Sequence, residues 1–579
     1  MKKKFALLLS ILMLFALFAG CKKQGGTTPT GEPTGGTATQ TPDQTEEPSP
    51  YNFAAGKFEA DENGFPSQAY EYALPLSTVE DEVLTYWMTC YTPGSIPEEG
   101  FGSMPYQQML RETTGVEVEY INIPNESRSE NFSVMLNSDD LSDIISSFSF
   151  FYTGTPKSAV EDGYIANLYD YREYMPNYMY QAVRFDDIDV YNTIMFDSTT
   201  ILWFLTMLED PMVGMNYCTR GDWLNKLNID PASVVTYDDV HDMLTRYKTE
   251  LDVQWPMQIC STIEFQPSQF FAGYDTALYV SPSTLPVPKV VNGVPQFTLI
   301  QQDDLEALTL LTTWYQEGLI DPAWAGTATN QDIASQITTG VSGYVPFNPG
   351  EIKGYEDTST DPDAEWVALT KVRKTPGQAF KMGSKLGHFS YGSNAISASC
   401  KNIPLAITYC DYFYSPSGSW QASYGKEGHT YTLDENGNPQ LTDFVLNNPD
   451  MLGVAWVMIM NAINSFVDPG IEWHVRSYAY PGGERLLNMM KVTWAEPNYS
   501  GEYDWPSSLK FSDDQNAELA TLRADANTYL NENFLGFVDG SKPLSEWDAY
   551  VQGINDIALT RCQQIYQEAY NTFIASINA

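Results

Sequence analysis

The commonest side chains that could do chemistry in this chain are its 74 aspartates and glutamates. Two carboxylates flanking a glycosidic bond suffice for sugar hydrolysis, but acids this frequent make any one pair uninformative. The four histidines, His241, His388, His429 and His474, form no His-Glu-x-x-His motif, and no Gly-x-Ser-x-Gly elbow, Walker loop or dinucleotide fingerprint occurs. Cys90, Cys218, Cys260, Cys400, Cys410 and Cys562 contain no Cys-x-x-Cys pair, which excludes zinc-ribbon and redox motifs. Scattered buried thiols are expected, with Cys400–Cys410 the best candidate for a bridge. Asp434-Glu435-Asn436-Gly437-Asn438 starts like a calcium loop but has Pro439 at the sixth position and Val445 at the twelfth, so Asn436-Gly437 reads better as a hairpin turn. These patterns predict neither catalysis, metal nor cofactor. Rings remain: 13 Trp and 37 Tyr, more than a core of this size needs. Such rings stack on the apolar faces of pyranoses while Asp, Asn and Arg satisfy the hydroxyls, so a sugar is the expected ligand, with a peptide next.

The elements that would position those rings begin beyond residue 50. Met1-Lys2-Lys3-Lys4 and the apolar run Phe5–Phe18 form a secretory signal too short to span a bilayer comfortably. The run ends Leu17-Phe18-Ala19-Gly20-Cys21, which resembles a bacterial lipobox with Phe18 in place of the usual Leu. Cys21 is therefore the expected lipidation site; an ordinary signal peptide with an incidental cysteine is the alternative. Residues 21–50, rich in Thr, Gly, Pro, Glu and Gln, cannot bury enough surface to order themselves, and as a coil they would reach about 30 Å. A long tether suits the outer face of a Gram-positive membrane better than a periplasm. The formal charge of −43, or −46 once Lys2, Lys3 and Lys4 are removed, argues against nucleic acid and anionic lipid as partners.

More than 550 residues follow Cys21, enough for two large lobes. Val83–Met88 reads as a first buried strand, Tyr106–Thr113 as a helix, Val116–Ile121 as a second strand, and Asp143–Ile145 as a third after a helix ending near Leu136. This alternation predicts parallel α/β wiring, with ligands beyond the carboxyl ends of the strands. Thr236 reads as a helix N-cap, Gly318 as the stop of a helix over Asp304–Glu317, and Asp513–Phe573 as helical, with Trp547, Tyr550, Ile565, Tyr566 and Tyr570 as core rings and aliphatics.

Taken in order, several segments resemble the large lipoprotein class of family 1 extracellular solute-binding proteins. They are Asn137–Ile145, Gly163–Tyr178, Arg220–Leu227 with the Thr236–Leu244 helix start, Glu317-Gly318-Leu319-Ile320-Asp321-Pro322, Tyr424–Tyr431, Phe537–Tyr550 and Ile565–Tyr570. The resemblance implies an α/β, two-lobe, periplasmic-binding-protein-like (type 2) fold, with a hinge and ligand in the interlobe cleft. It implies a monomeric receptor handing an oligosaccharide to the membrane permease subunits of an ABC importer. Lobe 1 would take 75–216 and about 385–450, and lobe 2 would take 217–384 and about 451–579, with crossings near Tyr217 and Gly383–Tyr391. Family members often carry a calcium loop after a helix like that at Thr236; Tyr247–Pro256 lacks the alternating oxygen ligands such a loop needs. A secreted glycoside hydrolase and a cell-surface scaffold are the rival classes.

Ligand contacts are expected from Tyr91 after the first strand and from Phe148, Phe150 and Phe151 after the third, where binding proteins for maltose-like sugars place contacts. Tyr344 and Phe347 resemble the segment that brings an aromatic from the second lobe. Trp420, Tyr424 and Trp473, with His474, Tyr478 and Tyr480 nearby, complete the set. The favoured geometry is a clamp of the Phe148–Phe151 loop against Tyr344 or Phe347. Trp87, Trp223 and Trp547 read as packing rings. If Cys21 carries the anchor, Cys21→Ala will shift the protein from the membrane fraction to the medium in a fractionated immunoblot; unchanged retention would remove the anchor.

Overall fold

Twelve strands lie in the computed structural model, which describes residues 49–577 apart from 91, 139, 210–212, 214, 263–269, 282–283, 384–386, 449–452, 463–477, 481 and 496–498. The signal, Cys21, most of the tether, Tyr91, Trp473 and His474 fall outside the described residues. In chain order the strands are β1 (Val83–Cys90), β2 (Glu117–Pro124), β3 (Ile144–Ser146), β4 (Phe204–Met207), β5 (Asn216–Arg220) and β6 (Pro288–Val291). They continue with β7 (Val294–Phe297), β8 (Tyr344–Phe347), β9 (Trp366–Ala368), β10 (Phe389–Ile396), β11 (Tyr431–Leu433) and β12 (Pro439–Leu441).

The first lobe is built on a five-stranded sheet, β2-β1-β3-β10-β4. β1 pairs parallel with β2 and β3, joined by the helices Pro105–Thr114 and Arg128–Ser138, as the strand–helix alternation predicts. β10 runs antiparallel to both β3 and β4, so the wiring is mixed rather than wholly parallel. The reason is that β10 enters from the other lobe and needs no crossover helix. Trp87 is buried against Phe132 and Phe151, a packing ring as read.

Residues 51–74, which the sequence reading leaves outside the first lobe, wrap its core through Ala54, Phe65 and Tyr72, next to Leu76. Asp411, on the helix Ile403–Tyr412, pins that wrap. Its buried carboxylate accepts from Tyr72 Oη (2.7 Å), Asn177 N (3.2 Å), Asn177 Nδ2 (2.9 Å) and Tyr178 N (2.7 Å). One side chain thus joins the wrap, the start of the helix Pro176–Arg184 and its own helix.

The second lobe holds the three-stranded sheet β8-β5-β9, antiparallel throughout, and the β6–β7 hairpin. Tyr217 and Tyr344 stack on one face (4.6 Å), packing with the helices Tyr237–Glu250 and Gln302–Gln316, while Cys218, Val345 and Phe347 fill the other. Thr236 and Asp239 form a reciprocal capping box at the first of these helices, as read. At its other end Lys248 Nζ donates to the carbonyls of Glu317 (2.6 Å) and Gly318 (2.8 Å), where Gly318 has a φ of +67°. A Cβ at Gly318 would meet that ammonium at 2.5 Å. The carboxyl-terminal helices supply Trp547, Tyr550 and Ile565 as buried residues, whereas Tyr566 and Tyr570 are half-buried against Trp505.

Cys400 and Cys410 are both buried thiols with no disulfide between them, which corrects the bridge expected there. The helix that starts at Ile403 carries Cys410 about 10 Å along its axis, at about 1.5 Å per residue. Asn436-Gly437 turns the β11–β12 hairpin, with Gly437 at φ +81°. Val454–Asn461, read as second-lobe sequence, packs on that hairpin through Val457 and Met458, and its Met460 enters the first lobe's core. Among the described residues no helix is long and apolar enough to cross a membrane.

Burial pushes the Asp411 carboxyl up to about 7, against the pull of the four donors around it. A carboxyl raised in the folded state contributes stability that is complete below its unfolded pKa near 3.8 and is lost as pH rises through about 7. Melting curves should therefore show parent stability falling between pH 4 and pH 7 more steeply than that of Asp411→Asn. Asp411→Ala, which strands buried donors, should cost about 3 kcal/mol in denaturant unfolding.

Candidate functional site

The register of the two sheets places their facing ends. β4 ends at Met207 opposite Phe389, the first residue of β10, and β10 runs antiparallel to β3 with Asn394 opposite Ser146. The chain therefore leaves and re-enters the first lobe at the edge where β1, β2 and β3 end. In the second lobe Asn216, the first residue of β5, pairs with Phe347, the last of β8, and β9 likewise runs toward Asn216. The carboxyl ends of β1–β3 and of β8 and β9 all point toward the crossing segments. That is where ligands of such sheets collect.

The crossings are tied together by polar contacts. Leu208 N donates to His388 O (2.8 Å), and His388 Nδ1 lies 3.0 Å from Leu208 O, with the His388 ring against Phe185. Farther along, Ser508 bonds Asp189 at the start of the helix Ile188–Ile194. Lys510 Nζ donates to the carbonyls of Asn192 (2.8 Å), Met195 (2.9 Å) and Phe196 (2.5 Å) at its end. Burial lowers the Lys510 ammonium to about 8. Trp505 and Phe511 on the same segment pack on Tyr566 of the second lobe, so Lys510 bridges the lobes.

At the first lobe's edge, Ser147 adopts the left-handed conformation (φ +55°), which is sterically costly for a residue with a Cβ, and starts a one-turn helix, Phe148–Phe151, where a loop was expected. The turn sends its rings in different directions. Phe148 is fully buried with Phe132 and Tyr152, Phe151 is half-buried against Trp87, and Phe150 is 69% exposed. The Arg128 guanidinium lies over both Phe150 (5.3 Å) and Phe151 (5.5 Å) and donates to Asn125 Oδ1 at the end of β2.

At the second lobe's edge, Tyr344 and Phe347 are both fully buried, on opposite faces of their sheet. The clamp of the Phe148–Phe151 loop against Tyr344 or Phe347 is thus corrected: strand alternation turns both β8 rings into the two cores, and of the third-strand group Phe150 is the ring that stands exposed. The β8 end instead presents polar groups. Asn348 caps the helix Pro349–Asp357, and Asn330 Nδ2 donates to Pro346 O (2.8 Å) and Glu351 Oε2 (3.0 Å). Burial raises the Glu351 carboxyl.

Trp420 is half-buried, 4.6 Å from the buried Tyr424, and its Nε1 donates to Tyr431 Oη (3.0 Å). Tyr478 is buried beside Phe347 in the second lobe and Tyr480 packs with the β11–β12 side. Sequence reasoning missed Asn125, Arg128, Asn216, Asn330 and Glu351. Their one sequence signal is position, since the first three border strand ends. Among the described residues no group of three or more His, Cys, Asp or Glu is placed to hold a metal ion.

No family model and no curated protein matches the sequence. Solved structures do match the fold. One is an HMO-binding, ABC-transporter-associated solute-binding protein from Bifidobacterium longum infantis, at TM-score 0.64 and 16% identity, covering 85% of this chain and 99% of that one. Another is the Streptococcus pneumoniae ABC-transporter substrate-binding protein FusA in complex with kestose, at TM-score 0.62 and 17% identity, covering 86% and 100%. A third is the alginate-binding protein AlgQ2 without calcium ion, at TM-score 0.59 and 19% identity, covering 84% and 98%. All three are named as binding proteins.

The burial pattern separates scaffold from surface rings by experiment. Phe148→Ala and Phe347→Ala should each cost about 3–5 kcal/mol in denaturant unfolding, as fully buried rings do, whereas Phe150→Ala should change stability by less than about 1 kcal/mol. The fold these comparisons share with the chain is the two-lobe α/β fold of solute-binding proteins.

Proposed function

We propose that the chain is an exported, lipid-anchored receptor that captures an oligosaccharide between its lobes and presents it to the permease of an ABC importer. The observation that carries this reading is the convergence of the carboxyl ends of β1–β3, β8 and β9 on the crossing segments. A site shared by two lobes makes ligand binding favour closure, because the closed state gains contacts that the open state lacks. The solved structures of this fold named above as binding HMO, kestose and alginate support a saccharide as cargo. Anchoring at Cys21 on the outer face of the membrane rests on the leader sequence, and the permease as partner rests on the shared fold.

Phe150 is the ring we assign to the sugar. It stands exposed at the end of β3, steadied by Phe151 and Arg128, as a stacking platform must. Calorimetric titration should show Phe150→Ala binding the cognate oligosaccharide roughly tenfold to hundredfold more weakly, the equivalent of about 1–3 kcal/mol for one buried ring. Solution scattering should show the parent's radius of gyration falling on sugar addition. A radius that stays constant at saturation would remove the closing receptor and leave a surface scaffold.

A further inference from the structure

Among the described residues, five polar atoms without hydrogen-bond partners lie at the strand ends that point toward the crossing segments. Thr89 Oγ1, Thr92 Oγ1 and Asn122 Oδ1 sit at or just beyond the carboxyl ends of β1 and β2. Asn216 Nδ2 opens β5, and Asn330 Oδ1 lies beside the end of β8, to which its own amide nitrogen is bonded through Pro346. Thr89, Asn216 and Asn330 are only 4%, 5% and 4% exposed. A buried polar atom left unpaired forfeits its hydration, and the exceptions in native proteins call for a reason. Here the ends of two neighbouring parallel strands of one lobe carry such exceptions, as do the first residue of β5 and a turn residue bonded to the end of β8 in the other.

We infer that these atoms are two half-sites that read the hydroxyl groups of a neutral saccharide, Thr89, Thr92 and Asn122 from the first lobe and Asn216 and Asn330 from the second. This rests on the receptor reading above and specifies its ligand. The chemistry favours an uncharged sugar. A hydroxyl both donates and accepts, so it can satisfy threonine hydroxyls, an amide N–H and amide oxygens alike. A uronate carboxylate accepts only, and would face the Asn122 and Asn330 oxygens, which also only accept. The Arg128 guanidinium nearby is held over Phe150 and Phe151 and on Asn125. Apolar side chains of the same shape would fit the fold without sugar as well or better, so these polar atoms gain their value from a ligand.

The test uses the mature full chain with a neutral panel (kestose, maltotriose and mannotriose) and an acidic panel (trigalacturonate and an alginate trisaccharide), read by calorimetry and by melting temperature. The parent should bind within the neutral panel. Thr89→Val and Asn122→Leu should keep or raise the melting temperature without sugar, yet each should weaken sugar binding about three- to tenfold, the worth of one lost hydrogen bond. Thr89→Ser, which keeps the hydroxyl, should bind like the parent. Parent-like binding by both apolar variants overturns the inference and leaves the receptor standing, as does binding confined to the acidic panel. No binding in either panel sinks the receptor reading as well. A Thr89→Val protein that no longer melts cooperatively places that hydroxyl in the scaffold and overturns its half-site.

Discussion

β10 holds the first sheet together, and it arrives last. β3 is three residues long and β4 is four, and each pairs with β10; β3 touches β1 on its other side, while β4 has no other partner in the sheet. Between β4 and β10 the chain builds most of the second lobe. The first lobe is therefore incomplete until a strand more than 180 residues downstream of β4 returns to it, with Tyr86 Oη donating to Asn394 Oδ1 (2.9 Å) across the junction. Such non-local closure is slow to form, because loop entropy must be overcome before the contact repays it. It also couples the lobes: no movement of the second lobe is independent of a strand embedded in the first.

The same constraint explains where the scarce cations are spent. With 31 Lys and Arg against 74 Asp and Glu, most acids cannot pair. Several buried or half-buried bases instead join segments distant in sequence. Arg220 bonds Asp222 and Asp361 while lying over Trp223, Lys248 ties a helix end to the Glu317–Gly318 turn, and Lys510 hangs one lobe from three carbonyls of the other. Lys248 stands in the last turn of the helix Tyr237–Glu250. An ammonium bridging two carbonyls performs there the joining of helix end and turn.

The facing edges then divide labour by residue type. Rings that alternate into the sheets, Tyr344 and Phe347 among them, stiffen the lobes. An exposed ring beside a left-handed turn, Phe150, and uncharged polar atoms at strand ends are the groups the proposed receptor would offer its ligand. In that reading, polar atoms on a rigid sheet edge would make binding energy available for closure rather than for ordering the site.

Much of this was legible in the chain itself. The strand–helix alternation from Val83 to Ile145, the Thr236 cap, the Gly318 stop and the Asn436-Gly437 turn are local signals, set by periodicity and backbone preference, and each appears where it was read. The two-lobe fold followed from motif order. What the sequence could not decide is which side of an element faces a neighbour far away in the chain. Phe148, Phe150 and Phe151 are alike in type and adjacent in sequence, yet one φ at Ser147 and the packing of Phe132 send one inward and another to solvent. Asn216 and Asn330 are unremarkable in sequence, and only the pairing of β5 with β8 brings them to one edge. Local propensity is encoded residue by residue. Facing is a property of the assembled sheets, and only the tertiary structure supplies it.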